Sequence, residues 1–272
     1  DVDYCVVIGA FEGDVINSAD SDGTVAIGYS AMGANTSGRY NVAIGQEALL
    51  TNADGDNNTA VGYKAMRLFE AASDGNGDNT GIGFQAGYNN DTGVHNTYLG
   101  ANAGYGAAGT NSGGYNTLLG SIAGKVIQGA GHSNTFVGYA SGDTITTGSN
   151  NIGIGRNVLG TATVAGSIIA IGNYAGDAIT PLLSDDSTPN TYVDGSVFIG
   201  YNSGTAITEG RYNTAIGYAS LDAATSSDRN TAVGYNALTA VNVADTATLN
   251  TAVGHNAGLL VSTGIKNTFV GA

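Results

Sequence analysis

A short motif centred on a glycine recurs along the chain and constrains its fold more than any other feature. The segments 58–63, 213–218 and 230–235 read Asn-Thr-Ala-Val-Gly-Tyr or Asn-Thr-Ala-Ile-Gly-Tyr, and looser copies occur from Val6 to Gly271. The motif glycines are Gly9, Gly28, Gly45, Gly62, Gly83, Gly100, Gly120, Gly138, Gly155, Gly172, Gly200, Gly217, Gly234, Gly254 and Gly271. Eight of the fourteen intervals between them are 17 residues, and the others are 18 to 28. A fixed period of this length is typical of proteins that stack one structural repeat upon the next.

The residues before each motif glycine have the character of a β-strand. Ile, Val or Leu immediately precedes the glycine, and Val, Ile or Thr stands three residues before it, in all fifteen copies. Residues two apart on a strand point to the same face, so we expect this pair to line the interior of a coil. The residue between them should then point outward, and it is apolar in copies such as Ala60, Phe136, Phe198 and Ala232. Because an outward apolar face needs a cover, we predict that other copies of the same chain cover it.

The rest of the repeat predicts the remainder of a coil. Asn stands four residues before the glycine in 11 of 15 copies, and stacked coils would place these amides in a hydrogen-bonded ladder. In eight of these copies a glycine lies three residues before the Asn, where it favours a turn into the strand. The short apolar pieces 126–127, 206–207 and 260–261 predict a second, weaker strand. Helix has little support, since only 49–50 and 66–70 are candidates for a single helical turn each.

These patterns predict an all-β protein. The expected fold class is a parallel β-solenoid (β-roll) of about 15 coils with a 17-residue base repeat. No linker composition breaks the array, so we expect one repeat domain over residues 1–272. The longest insertion, 177–195, contains Pro181 and Pro189 and predicts a protruding loop.

Composition excludes several classes of protein. The 44 glycines follow no Gly-X-Y period, which excludes collagen. A net charge of −14 disfavours nucleic acid and anionic membranes as partners. The single cysteine, Cys5, permits no internal disulfide. No apolar run reaches the length of a transmembrane helix, so we expect no membrane insertion.

The motif resembles repeats of known fibrous proteins. Residues 41–45 match the Asn-Ser-Val-Ala-Ile-Gly pattern of trimeric autotransporter adhesin heads with one residue absent, although the adhesin repeats are shorter. Residues 230–238 are more similar to the repeats of phage tail-fibre shafts and carry the whole Asn-Thr-Ala-Val-Gly-Tyr-Asn-Ala-Leu pattern. The resemblance covers nearly the full chain. It implies a parallel β-roll, commonly trimeric, in a long extracellular fibre.

The function expected from repeat and resemblance together is structural and adhesive. The chain would be a self-assembling segment of a phage tail fibre or a microbial surface filament, not an enzyme, and no residue is assigned a catalytic, cofactor-binding or metal-binding role. Its partners would be copies of itself, as a homotrimer or as an end-to-end filament in which residues 268–271 of one copy pair with 6–9 of the next. A cell-surface glycan is a further candidate ligand. The alternatives are a polysaccharide-degrading enzyme of the tailspike type, which needs converging carboxylates, and a carbohydrate-binding module.

Several weaker motifs have simpler interpretations. The acidic loops 20–23, 54–56 and 74–78 have the oxygen-rich composition of calcium loops but no EF-hand spacing, so solvated turns are favoured. Residues 104–109 match the Gly-x-Gly-x-x-Gly dinucleotide fingerprint, which a chain with 44 glycines produces by chance. No metal or triad spacing connects the three histidines, which are His95, His132 and His255.

Two rows of side chains remain open to more than one interpretation. The residue after the motif glycine is aromatic at Tyr29, Tyr63, Phe84, Tyr139, Tyr201, Tyr218 and Tyr235. Such a row either stacks on sugars or packs between coils or chains, and packing is favoured. Nine of the residues three before the glycine are Thr, an arrangement similar to ice-binding solenoids. Because we expect these threonines to face the core, ice binding is not favoured.

Overall fold

Every motif copy forms a three-residue strand that ends one residue before the motif glycine. The computed structural model describes residues 4–9, 22–73, 75–107, 111–129, 131–179, 195–243 and 247–272, and these contain no helix. The strands are β1 (Val6–Ile8), β2 (Val25–Ile27), β3 (Val42–Ile44), β4 (Thr59–Val61), β5 (Thr80–Ile82), β6 (Thr97–Leu99), β7 (Thr117–Leu119), β8 (Thr135–Val137), β9 (Ile152–Ile154), β10 (Ile169–Ile171), β11 (Val197–Ile199), β12 (Thr214–Ile216), β13 (Thr231–Val233), β14 (Thr251–Val253) and β15 (Thr268–Val270).

The chain divides into two compact units, Asp1–Ser133 and Asn134–Ala272. In the first unit β1 to β7 pair in chain order, parallel and in register. In the second unit β8 to β15 pair in the same way. Each unit is therefore a parallel β-solenoid, as predicted, in which one turn of the chain adds one strand. The single domain over 1–272 stays a prediction, and most of the predicted loop at 177–195 lies outside the described residues.

The two faces of the strand are the reverse of the prediction. The middle residue of each strand from β2 to β14 is buried, whereas the residues on either side are half-buried or exposed. Ala60, Phe136, Phe198 and Ala232 are therefore core residues with no exposed surface, and the prediction that they face outward is wrong. The error has a simple origin. Both faces of this strand are apolar, and a change of one residue in the assignment moves every side chain to the other face.

The core of a coil is filled from two positions, the strand centre and the residue six further along the chain. Where the strand centre is large, the second position is glycine, as in Phe136 and Gly142. A Cβ at Gly142 would lie 2.6 Å from the Phe136 ring. In six of the nine coils from β2 to β14 whose strand centre is Ala or Gly, the second position is Leu or Met, as in Ala60 and Met66, which are both fully buried. In the other three coils the second position is glycine.

The segment that follows each motif glycine consists of turns. Residues two and four after the glycine adopt left-handed conformations, for example Glu47 (φ 56°) and Leu49 (φ 48°). These turns still bond from coil to coil, since Leu49 N–H donates to Ala65 O at 3.1 Å. The second strand predicted at 126–127, 206–207 and 260–261 is wrong, because these residues end the turn segment and form no strand.

The predicted asparagine ladder is confirmed within each unit. In the first unit, Asn58 N–H donates to Asn41 Oδ1 at 2.8 Å and Asn79 N–H donates to Asn58 Oδ1 at 3.1 Å. In the second, Asn230 N–H donates to Asn213 Oδ1 at 2.9 Å. The amide groups also donate to a backbone carbonyl in the turn of the next coil, that of Gly55 for Asn41 and that of Ser227 for Asn213. The ladder therefore satisfies buried backbone groups on both sides.

The motif glycine marks a place where two coils touch through their backbones. Gly217 has a φ of 136°, and a Cβ there would lie 2.2 Å from the carbonyl oxygen of Gly234 in the next coil. Any other residue would clash with that carbonyl, which explains why the repeat is centred on glycine.

Candidate functional site

The outward side of each sheet carries an uncharged row of aliphatic and threonine side chains. We name it the sheet face. In the first unit it comprises Val6, Ile8, Val25, Ile27, Val42, Ile44, Thr59, Val61, Thr80, Ile82, Thr97, Leu99, Thr117 and Leu119. In the second unit it comprises Thr135, Val137, Ile152, Ile154, Ile169, Ile171, Val197, Ile199, Thr214, Ile216, Thr231, Val233, Thr251, Val253, Thr268 and Val270. Sequence reasoning placed these residues in the core.

The sheet face is open to solvent in the single chain. Ile44, Leu99, Ile216 and Val253 are 36–44% exposed. With strands about 4.8 Å apart and two outward side chains on each, the second unit presents a stripe on the order of 300–400 Å². A patch of this size is comparable to the largest apolar patch on a typical monomer, and such patches are often functional.

The threonines of the sheet face point outward, not into the core as predicted. Eight of the nine form one run of four coils in each unit, from Thr59 to Thr117 and from Thr214 to Thr268, and the ninth is Thr135 in β8. The column beside them is Val, Ile or Leu throughout. The face is therefore mainly aliphatic, with hydroxyl groups along one margin. A signal for this existed in the sequence, since nine threonines in one buried column would have needed nine hydrogen-bond partners.

The aromatic residues after the motif glycines stack from coil to coil. In the first unit Tyr63 and Phe84 have ring centroids 5.4 Å apart. In the second unit four consecutive coils form one continuous stack, which we name the aromatic row: Tyr201, Tyr218, Tyr235 and His255. Packing between coils, the favoured interpretation of these residues, is confirmed for these pairs.

The three histidines are not brought together. His95 Nδ1 lies 3.5 Å from Asp78 Oδ2, and its ring stacks on Tyr115. His132 Nδ1 lies 3.2 Å from a serine hydroxyl, and His255 belongs to the aromatic row. Each histidine thus has a different local partner.

The acidic loops use their carboxylates as local hydrogen-bond acceptors. Asp54 Oδ1 accepts from Ser37 Oγ at 2.8 Å, and Asp56 Oδ1 accepts from Arg39 N–H at 2.7 Å. Across the described part of the chain, no group of three or more His, Cys, Asp or Glu side chains is placed to hold a metal ion. Asp20, in the first of the predicted loops, and Asp74, in the third, lie outside it.

One ion-pair cluster stabilises a turn of the first unit. Arg67 Nε donates to Glu47 Oε2 at 2.5 Å, and Lys64 Nζ lies 3.7 Å from the same oxygen. The hydrogen bond from Arg67 holds the pKa of Glu47 below its usual value. The Arg67 guanidinium also lies 5.9 Å from the centre of the Tyr88 ring. These contacts join neighbouring coils and leave no group unpaired for chemistry.

Burial raises the pKa values of Glu70, Asp177 and Asp222. Glu70 lies in the first unit and accepts from a backbone N–H of the preceding coil. In the second unit Asp177 is bonded to the N–H of Gly160, and Asp222 is bonded to the hydroxyl of Thr205. Thr205 belongs to the coil between the two aspartates, so Asp177 and Asp222 bond to different partners and lie two coils apart.

Two surface clefts occur beside the turns that precede the strands. A cleft of about 410 Å³ in the first unit is lined by Ser112, Gly113, Gly114, Tyr115, Gly129, His132 and Ser133. A cleft of about 290 Å³ in the second unit is lined by Thr147, Gly148, Ser149, Asn150, Val164, Gly166 and Ser167. Both are shallow and lined without Asp or Glu, so neither holds the pair of carboxyl groups that polysaccharide cleavage requires.

No protein-family model matches this chain, and no curated protein matches it significantly. The described ranges contain no helix that is long and hydrophobic enough to cross a bilayer.

Proposed function

We propose that this chain is a structural and adhesive segment of an extracellular fibre, either a phage tail fibre or a microbial surface filament, that assembles with copies of itself as a homotrimer. The observation that carries the proposal is the sheet face, an exposed and uncharged apolar stripe on each unit. The resemblance of residues 230–238 to tail-fibre repeats supports the fibre context.

The sheet face suits association between copies of this chain for two reasons. Its side chains repeat in register from strand to strand, so a second copy meets a regular surface of the same spacing. The acidic residues lie in the connections and not on the strands, so docking through this face keeps most of the negative charge in water. End-to-end stacking, with residues 268–271 of one copy against 6–9 of the next, is the other mode of self-association that parallel strands permit.

A structural role is also consistent with how the polar groups are used. The asparagine ladder, the Glu47–Arg67 pair and the half-buried Asp177 and Asp222 all bond within or between coils. We therefore assign no catalytic residue, and we propose that the chain is not an enzyme.

The test places a charge on the sheet face and compares it with a charge elsewhere. Val253→Asp introduces a carboxylate at a position that is 41% exposed and would be buried by docking. Leu249→Asp is the matched control, because Leu249 is 43% exposed in the same coil but lies outside the sheet face. Ala232 is not suitable for this test, since it is fully buried in the core.

We expect the unsubstituted chain to have the mass of a trimer by light scattering at micromolar concentration. Val253→Asp should shift it towards monomer, because an unpaired charge in an apolar contact is costly. Leu249→Asp should leave the mass unchanged, and circular dichroism should show that both variants remain folded. A monomeric parent chain, or equal dissociation by both variants, would contradict the proposal.

A further inference from the structure

The rings of the aromatic row in the second unit stack on one another but remain partly exposed to solvent. Its three tyrosines, Tyr201, Tyr218 and Tyr235, are 44–48% exposed although each is stacked on a neighbour. His255, which ends the row, is also exposed. Solvent therefore meets four aromatic side chains in succession along one edge of the solenoid.

The ring geometry explains this exposure. Successive centroids are 5.4, 5.1 and 5.0 Å apart, and the ring planes differ by only 7–11°. Aromatic planes in contact are about 3.6 Å apart, so a centroid distance near 5 Å requires each ring to be displaced sideways by about 3.5 Å. The rings are offset-stacked, so each exposes part of one face as well as an edge.

The surroundings of the row are uncharged and carry amide groups. From the residue before the motif glycine to two residues after it, these four coils contain no Asp, Glu, Lys or Arg. Half-buried Asn202 and Asn236 directly follow two of the rings. Carboxamides both donate and accept hydrogen bonds, as sugar hydroxyls require.

We propose that the aromatic row binds an extended, neutral, β-1,4-linked glycan that lies along the solenoid with about one sugar unit per coil. The sugar units of such a chain follow one another at nearly the separation of the rings, and both faces of the flat chain carry C–H groups that pack on aromatic surfaces. This inference rests on the proposed adhesive function, for which it supplies a ligand class and a site. Glucose-based and N-acetylglucosamine-based chains share this chemistry.

The experiment measures binding of cellohexaose and chitohexaose to the full chain by calorimetry. Because the chain contains no tryptophan, tyrosine fluorescence provides a second readout. The hexaoses should bind at least about fivefold more tightly than the corresponding disaccharides, since they span two more rings. The double variant Tyr218→Ala, Tyr235→Ala should bind at least about fivefold more weakly, at 2- to 13-fold for each stacked ring. Comparison of the two hexaoses identifies which sugar is preferred.

Tyr139→Ala is the matched control. Tyr139 occupies the same position after a motif glycine in the same unit and is 56% exposed, but the next coil places Arg156 at this position, not a ring. Its replacement should leave glycan affinity unchanged. Absence of hexaose binding, or an equal loss in Tyr139→Ala, overturns the inference. If the chain binds neither hexaose but still associates through the sheet face, the glycan site fails and the fibre proposal stands. If the chain is a monomer but binds hexaose, the glycan site stands and the proposed self-assembly fails.

Discussion

Two sets of coils in the second unit build the same solenoid with opposite core residues. The coils of β8 and β11 have Phe136 and Phe198 at the strand centre, and glycine six residues later. The coils of β12 and β13 have alanine at the strand centre, and Leu221 and Leu238 six residues later. All four large side chains are fully buried. Each of these coils therefore has room for one large side chain, which enters from either the strand or the turn.

The backbone conformation at the second core position is the same in both sets of coils. The two sets therefore differ in where the large side chain is attached, not in the path of the backbone. Gly142 and Gly204 have φ values of 61°, and Leu221 and Leu238 have φ values of 54° and 51°. A left-handed leucine costs on the order of 1–2 kcal/mol, whereas burying its side chain contributes about 1.5–3 kcal/mol. The burial outweighs the backbone strain, so the chain tolerates leucine where glycine would be easier.

The largest expected effect comes from emptying the core of an aromatic coil. Phe136→Ala should lower the free energy of unfolding by about 3–5 kcal/mol, because a cavity replaces the ring. Adding Gly142→Leu should restore a large part of that loss, since the double variant recreates the alanine–leucine arrangement of β12. Gly142→Leu alone should destabilise by about 1–3 kcal/mol through overpacking, as its Cβ would lie 2.6 Å from the Phe136 ring. Denaturant unfolding measures all three variants, and additive losses in the double variant would break the comparison.

A second prediction concerns the asparagine ladder, which the two sets of coils share. Asn134 in the β8 coil and Asn213 in the β12 coil each accept from the next asparagine through Oδ1 and donate to a turn carbonyl at 2.9 and 2.8 Å. Asn134→Ala and Asn213→Ala should each cost about 2–3 kcal/mol, because a buried N–H loses its acceptor. Chemical denaturation of both variants checks this. A clear difference between the two costs would mean that the ladder depends on core composition.

A third prediction concerns a coil of the first unit that has a tyrosine, Tyr98, at its strand centre. Tyr98 occupies the strand centre of β6 and is fully buried, and its hydroxyl has no hydrogen-bond partner among the described residues. Burial also raises its pKa far above the usual value. Tyr98→Phe should therefore raise the free energy of unfolding by about 1 kcal/mol. Tyr218→Phe, in the exposed aromatic row, is the control and should change it little. A lower thermal midpoint for Tyr98→Phe would indicate that the hydroxyl is satisfied.

The smallest effect is a pH dependence in the turn of the β12 coil. Burial raises the pKa of Asp222, so its folded-state pKa lies above its unfolded value. The folded state therefore favours the neutral carboxyl of Asp222. Its contribution to the free energy of unfolding is fully present below the unfolded pKa and is lost as the pH rises through the folded pKa. Asp222→Asn should be more stable than the parent by up to about 0.5 kcal/mol at pH 7. This difference should vanish below the unfolded pKa of about 3.9, and thermal unfolding at both pH values tests it.

The repeat alone was sufficient to predict the solenoid, the position of every strand and the asparagine ladder. The glycine period marks the end of each strand because two backbones meet there, as at Gly217 and Gly234. The candidate surfaces were harder to predict. The aromatic residues after the motif glycines can be identified from the sequence, but their offset stacking depends on the distance between coils. The sheet face was assigned to the core because Thr231 and Val233 have the residue types of interior positions.

Some core packing also crosses from one coil to the next, where no local pattern reveals it. In the coil of β10 both positions are small, Ala170 and Gly176. A Cβ at Gly176 would lie 3.1 Å from Leu159 of the preceding coil and 3.2 Å from Phe198 of the following one. The neighbours fill the space that this coil leaves open. Such a coil looks underpacked when its sequence is considered separately.

The sequence by itself determined that the chain winds into parallel coils, because a 17-residue glycine period and a three-residue β pattern permit little else. Only the tertiary structure decided which face of each strand is the inside. Alternation distinguishes two faces but does not orient them when both are apolar. The orientation depends on what lies across the coil. Ala232 faces inward because Leu238 needs the space opposite it, and Val233 is therefore left on the surface.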